Sequence, residues 1–144
     1  MLPHPRTALL SVLGILGIFP FVTVAAPVDV AKRDDPLWGQ ATYFEQDGAL
    51  GACGTYSQDS DYIVAISEDQ YAATIYDPDD QMSWLCFQNV TIQNTDNGQY
   101  VQAMIVDSCP GCAYGSLDLS PVTFQALSFN NLDLGVLPIT WNII

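Results

Sequence analysis

The sequence predicts an all-β domain with one or two short helices, its strands closed into a barrel rather than stacked as a sandwich. Three observations predict it. Short runs rich in β-branched and aromatic residues recur along the chain, clusters of Gly, Pro, Asp and Asn separate them, and one well-marked helix start appears late.

The strand runs are residues 40–45, 62–67, 72–76, 87–93, 100–106 and 136–143, each short enough and β-rich enough for a strand. Turn chemistry lies between them at Asp47-Gly48, Asp77-Pro78-Asp79-Asp80 and Asp96-Asn97-Gly98, the last reading as a hairpin turn. The helix begins at Ser120, a favoured N-cap, with Pro121 at the first helical position and Phe124, Ala126 and Leu127 on its inward face. A second helical turn is predicted near residues 68–71. Tyr43, Phe44, Trp84, Tyr100 and Trp141 read as core aromatics, whereas Trp38, Tyr56, Tyr76 and Tyr114 are candidates for exposed aromatics.

Residues 1–6 carry Arg6 and His4, residues 7–24 are almost unbroken Leu, Ile, Val, Phe and Gly, and Ala25-Ala26 follow. That order predicts a cleaved secretory signal peptide over residues 1–25. Gly14, Gly17 and Pro20 interrupt a run already short for a membrane span. Lys32-Arg33 predicts a dibasic processing site ending a pro-segment of residues 26–33 and leaving a domain of residues 34–144. All three basic residues and the one histidine precede Asp34, while fifteen of the sixteen acidic residues remain. A domain without cationic side chains is not expected to bind nucleic acid or an anionic membrane. Serine–histidine, cysteine–histidine and lysine Schiff-base chemistry are excluded by inventory, so proton transfer falls to Asp, Glu or Tyr.

Four cysteines, Cys53, Cys86, Cys109 and Cys112, lie in that acidic part. In a secreted domain they predict two disulfides, and of the three possible pairings Cys53–Cys86 with Cys109–Cys112 is favoured. Without histidine a zinc site is not expected. Asn89-Val90-Thr91 is an N-glycosylation sequon, with Asn89 as acceptor.

Four motifs occur in order: Gly39-Gln40-Ala41-Thr42-Tyr43-Phe44, Gly51-Ala52-Cys53-Gly54, Val106-Asp107-Ser108-Cys109-Pro110-Gly111-Cys112, and Leu117-Asp118-Leu119-Ser120-Pro121 with Phe124. Their order and spacing resemble the double-psi β-barrel superfamily of expansins, barwin and rare lipoprotein A, and most of all small fungal single-domain expansin-like (loosenin-type) proteins. The resemblance implies a six-stranded barrel whose surface groove faces a polysaccharide. It carries the groove aspartate over to Asp118, a second aspartate to Asp107 and a groove threonine to Thr42. Tyr43, Trp38 and Tyr114 are further substrate-binding candidates. In related family-45 glycoside hydrolases the residue matching Asp118 donates a proton, and Glu45 falls one residue short of their base.

The function this implies is a secreted, monomeric protein that binds cell-wall polysaccharide (cellulose, chitin or a glucan) and loosens it without hydrolysis, using no cofactor and no metal. One alternative is a weak glycan-cleaving enzyme related to those hydrolases or to lytic transglycosylases, with Glu45 opposing Asp118 across the groove. Another is a barwin- or kiwellin-like protease inhibitor or effector. The plainer roles are a helix-entry carboxylate for Asp118, an acceptor of backbone amides in the Cys109–Cys112 loop for Asp107, and a solvated loop acid for Glu45.

Overall fold

Alternation of apolar and polar residues sets which face of each strand turns inward. The computed structural model describes residues 35–144 apart from Pro78 and Asp80. The expected signal peptide, pro-segment and dibasic site lie outside the described residues, as does part of the Asp77–Asp80 turn. In chain order the elements are β1 (Leu37–Tyr43), β2 (Ile63–Ser67), α1 (Glu68–Ala72), β3 (Ile75–Asp77), β4 (Met82–Ser83), β5 (Asn89–Asn94), β6 (Tyr100–Cys109), β7 (Leu117–Leu119), α2 (Pro121–Leu127), a 3-10 turn at Leu132–Leu134, and β8 (Leu137–Ile143).

Six strands close in the order β1-β7-β2-β6-β5-β8, returning to β1, and β3 with β4 forms a separate ribbon. The all-β barrel with two short helices is therefore the observed fold. Pairings β1·β7 and β2·β6 are parallel and the other four barrel pairings are antiparallel. Leu137, Ile139 and Trp141 of β8 are buried, while the alternate residues Pro138 and Asn142 are exposed and Thr140 is half-buried. The inward set packs with Val64, Ile66, Ile92, Ile105, Leu117, Leu119 and Phe124 into one core. Every residue of β2 is buried, the pattern of a strand covered on both faces.

Ser120 caps α2 as its sequence predicts, its side chain accepting from the Thr123 amide, and Phe124 and Leu127 are fully buried. At the other end of α2, the side-chain amides of buried Asn94 and of Asn97 donate to the Leu127 carbonyl at 3.0 and 2.9 Å. The hairpin between β5 and β6 is thus fastened to the helix. The two disulfides are Cys53–Cys86 and Cys109–Cys112.

Several boundaries differ from the sequence reading. Residues 72–76 are not one strand, because Ala72 ends α1 and β3 starts at Ile75. The Ser67 hydroxyl accepts the Gln70 amide and the Tyr71 hydroxyl donates to the Ala52 carbonyl, so capping and a tertiary bond override the local β preference. Strand β7 was not expected, since three residues hold too little alternation to be seen. Trp84 and Tyr100 are 52% and 72% exposed, not core; Trp141, 1% exposed, is core. Exposed Tyr100 sits on the outward set of β6, alternating with buried Ala103 and Ile105 across the strand.

Candidate functional site

Strand register builds a row of side chains on the outer surface of one half of the barrel. Thr42 of β1 pairs with Asp118 of β7, Asp118 pairs with Ala65 of β2, and Ala65 pairs with Asp107 of β6. Leu117 and Leu119 on either side of Asp118 are fully buried, which turns Asp118 outward. A bulge between Val64 and Ala65 keeps Asp107 level with the row. The two aspartates thus flank Ala65 from neighbouring strands, with Cα atoms about 10 Å apart at two strand spacings.

The Thr42 hydroxyl donates to Asp118 Oδ1 at 2.7 Å. Burial is the main influence pushing the Asp118 carboxyl above its ordinary range, and the Asp107 charge adds a little. The bonds from Thr42 and from the Leu119 amide pull it back in part. Asp118 therefore holds a proton to higher pH than a surface aspartate does.

Asp107 is held differently. Its Oδ1 accepts from the Ala52 amide at 2.7 Å and from its own neighbour, the Ser108 amide, at 2.8 Å. It does accept backbone amides, yet from Ser108 and from the distant Gly51–Gly54 motif rather than across the Cys109–Cys112 loop. Cys53 in that motif donates its amide to the Val106 carbonyl and is bonded to Cys86. Gly51 makes the approach possible, because a Cβ there would lie 2.7 Å from the Val106 carbonyl oxygen. Among the described residues no hydrogen bond joins the two carboxyl groups, so a shared proton is not supported.

Glu45 is exposed and lines a depression of about 150 Å³ together with Asp47, Thr55, Ser57 and Asp107. Asp118 does not line it, so Glu45 is grouped with Asp107. Tyr43 turns inward, its ring 5.0 Å from that of Phe124, and supports the core beneath the row. Trp38 is 69% exposed on the outward set of β1 that also holds Gln40 and Thr42, about 13 Å along the strand from Thr42. Tyr114 is exposed just before Gly115. Asn89 is exposed at the start of β5, with Thr91 of its sequon on the same face. No group of three or more metal-ligating side chains exists among the described residues.

The sequence reading missed the supports of Asp107, since backbone amides leave no residue-type signature. Gly51 was the one available signal.

No family model matches the chain. Its fold superimposes on the papain inhibitor of Streptomyces with a TM-score of 0.64 and 32% identity, over 77% of this chain and 96% of that one. The chain belongs to the double-psi β-barrel superfamily. Expansins are structural neighbours of this double-psi barrel: the Clavibacter michiganensis expansin, solved as a point mutant with cellohexaose, aligns with a TM-score of 0.60 and 23% identity over 76% of this chain. Ripening-related protein 6 of rice (Oryza sativa subsp. japonica) is 28% identical over 103 residues, 68% of this chain. The double-psi barrel spans 56% of the rice protein and 50% of the expansin.

Proposed function

We propose that this double-psi barrel is a secreted, monomeric protein that binds a neutral cell-wall polysaccharide strand along the Thr42–Asp118–Ala65–Asp107 row and loosens it without cutting a bond. The observation that carries the reading is Asp118 itself. It is an outward, half-buried carboxyl, oriented by the Thr42 hydroxyl and biased towards its protonated form. Such a group can donate to a sugar hydroxyl or glycosidic oxygen and, when ionised, accept from one. Ala65 between the two aspartates is itself buried, so the groups of the row that reach the surface are Thr42, Asp118 and Asp107. The cellohexaose bound by the related expansin supports the substrate class. Cellulose, chitin and mixed glucans all fit it.

Hydrolysis needs a base on the far side of the sugar from the acid, with room for a water between them. Glu45 lines the depression beside Asp107, and the sugar-release arm of the test decides whether it serves as such a base. The test is swelling of purified wall material with sugar release measured in the same tubes. Asp118→Asn should lose the swelling activity and keep the fold. Wild-type swelling accompanied by proportionate sugar release would replace this reading with the glycan-cleaving one, and full swelling by a folded Asp118→Asn would remove Asp118 from the mechanism.

One observation favours a second reading. The 32% identity to the Streptomyces papain inhibitor covers nearly all of that protein. A titration of papain with the purified protein decides it: stoichiometric loss of protease activity would move the function to inhibition, and unchanged activity at molar excess would exclude papain as the target.

A further inference from the structure

The other half of the barrel carries a second row on its outer surface, and that row contains no carboxylate. Trp38 of β1 pairs with Thr140 of β8, Thr140 pairs with Gln93 of β5, and Gln93 pairs with Tyr100 of β6. Two residues along, Asn142 of β8 faces Thr91 of β5. Thr91, Gln93, Tyr100, Thr140 and Asn142 line a groove of about 370 Å³, more than twice the volume of the depression beside Asp107. Its polar groups are hydroxyls and amides, which both donate and accept hydrogen bonds. Beside it stand the two most exposed aromatics of these strands, Tyr100 at 72% and Trp38 at 69%. The Thr140 hydroxyl is covered and has no hydrogen-bond partner among the described residues, a deficit that a ligand contact or a small side-chain shift would relieve.

This composition selects its occupant. On a chain with fifteen of sixteen acidic residues beyond Arg33 and no cationic side chain there, an uncharged groove offers nothing to an anionic or cationic partner. Hydroxyls and amides between aromatic faces suit the edges and faces of sugar rings. The geometry points to a second glycan-binding face, formed by Trp38, Thr91, Gln93, Tyr100 and Thr140, that holds a neutral polysaccharide strand independently of the aspartate row. The inference takes its ligand class from the proposed function and adds a division of labour. The uncharged face retains the protein on the wall, and the aspartate row acts on the strand it meets.

The experiment is a pull-down on cellulose, chitin and mixed glucan with wild type, Trp38→Ala, Tyr100→Ala and the double variant, with melting temperatures taken alongside. Trp38 and Tyr100 are mostly exposed, so their removal should leave the melting temperature near that of wild type. Each single variant should bind about three- to tenfold more weakly and the double variant more than tenfold. An NMR titration with cellohexaose and with chitohexaose should move the amides of Gln93, Tyr100 and Thr140. Wild-type retention by a folded double variant would overturn the second face and leave the aspartate reading standing. Wild type failing to bind any of the three polysaccharides, with no shifts from either oligosaccharide, would overturn both.

Discussion

The two outer halves of this barrel share β1 and β6 as their borders and differ in almost every chemical respect. The half through β7 and β2 contains the parallel pairings and presents Asp118 and Asp107. The half through β8 and β5 is antiparallel throughout and presents hydroxyls, amides and aromatics. The carboxylate half is braced from outside the barrel by the Gly51–Gly54 loop, the Cys53–Cys86 disulfide and α1. The uncharged half takes its outward side chains directly from strand alternation. The contrast teaches that placing a carboxylate in a controlled setting needs supporting loops, whereas a neutral platform needs only a regular sheet.

The strongest way to break that contrast is to remove the brace. Cys53–Cys86 spans a sequence separation of 33, and replacing both cysteines should cost about 3–4 kcal/mol in the chain-entropy estimate. Urea melts check this. Under conditions where the variant stays folded, Asp107 should lose its fixed Ala52 partner, and swelling activity should suffer more than wall retention. Equal losses in both would show that the halves are not separately supported.

Gly51→Ala attacks the same brace more gently. The added Cβ meets the Val106 carbonyl oxygen, a backbone atom that cannot swing away, so a loss of about 1–3 kcal/mol is expected. Gly54→Ala, where no atom lies within 4 Å of the added Cβ but φ is +73°, should be limited to backbone strain. Chemical denaturation of the pair separates contact from conformation.

A smaller effect comes from pH. The Asp118 carboxyl is raised by burial, so its folded value lies above the unfolded aspartate value of about 3.9. The folded state then binds more protons than the unfolded chain. The stabilising contribution is complete below about pH 4 and is lost as pH rises through the raised value. Self-repulsion within a chain of net charge −13 acts in the same direction. Melting temperature at low salt should therefore fall from pH 4 to pH 7, with added salt recovering part of the loss. Asp118→Asn should flatten the decline, since the neutral amide avoids the cost of a half-buried charge. A melting temperature that climbs towards neutrality would refute the sign.

The smallest effect is expected at Glu45→Gln, which should leave swelling, retention and melting unchanged. Loss of swelling there would tie the depression beside Asp107 to the Asp118 site and weaken the case for two independent halves.

The carboxylate half was the more legible one in the sequence. Asp107 and Asp118 sit in motifs whose glycines, prolines and cysteines fix local geometry, and Ser120-Pro121 announces a helix from capping chemistry alone. The uncharged half was harder to read. Tyr100 resembles a core aromatic until strand register shows its side chain alternating outward. Thr91, Gln93 and Thr140 are ordinary strand residues that acquire meaning only when β5 and β8 are laid side by side. Strand β7 escaped notice because its three residues owe their conformation to β1 and β2 on either side, which no local window contains.

Closure of the barrel has a consequence for self-association. Open strand edges recruit other chains, and proteins commonly guard them with lysine, which this sequence lacks beyond Lys32. Each barrel strand instead has a neighbour on both sides, leaving no edge there to guard. Among the described residues the β3–β4 ribbon is the sheet left open, and it carries Tyr76 at 64% exposure. At neutral pH the crowd of carboxylates keeps molecules apart. As acid discharges them, the ribbon is the expected place for one copy to add to the next, so the conditions that tighten the fold should also lower solubility.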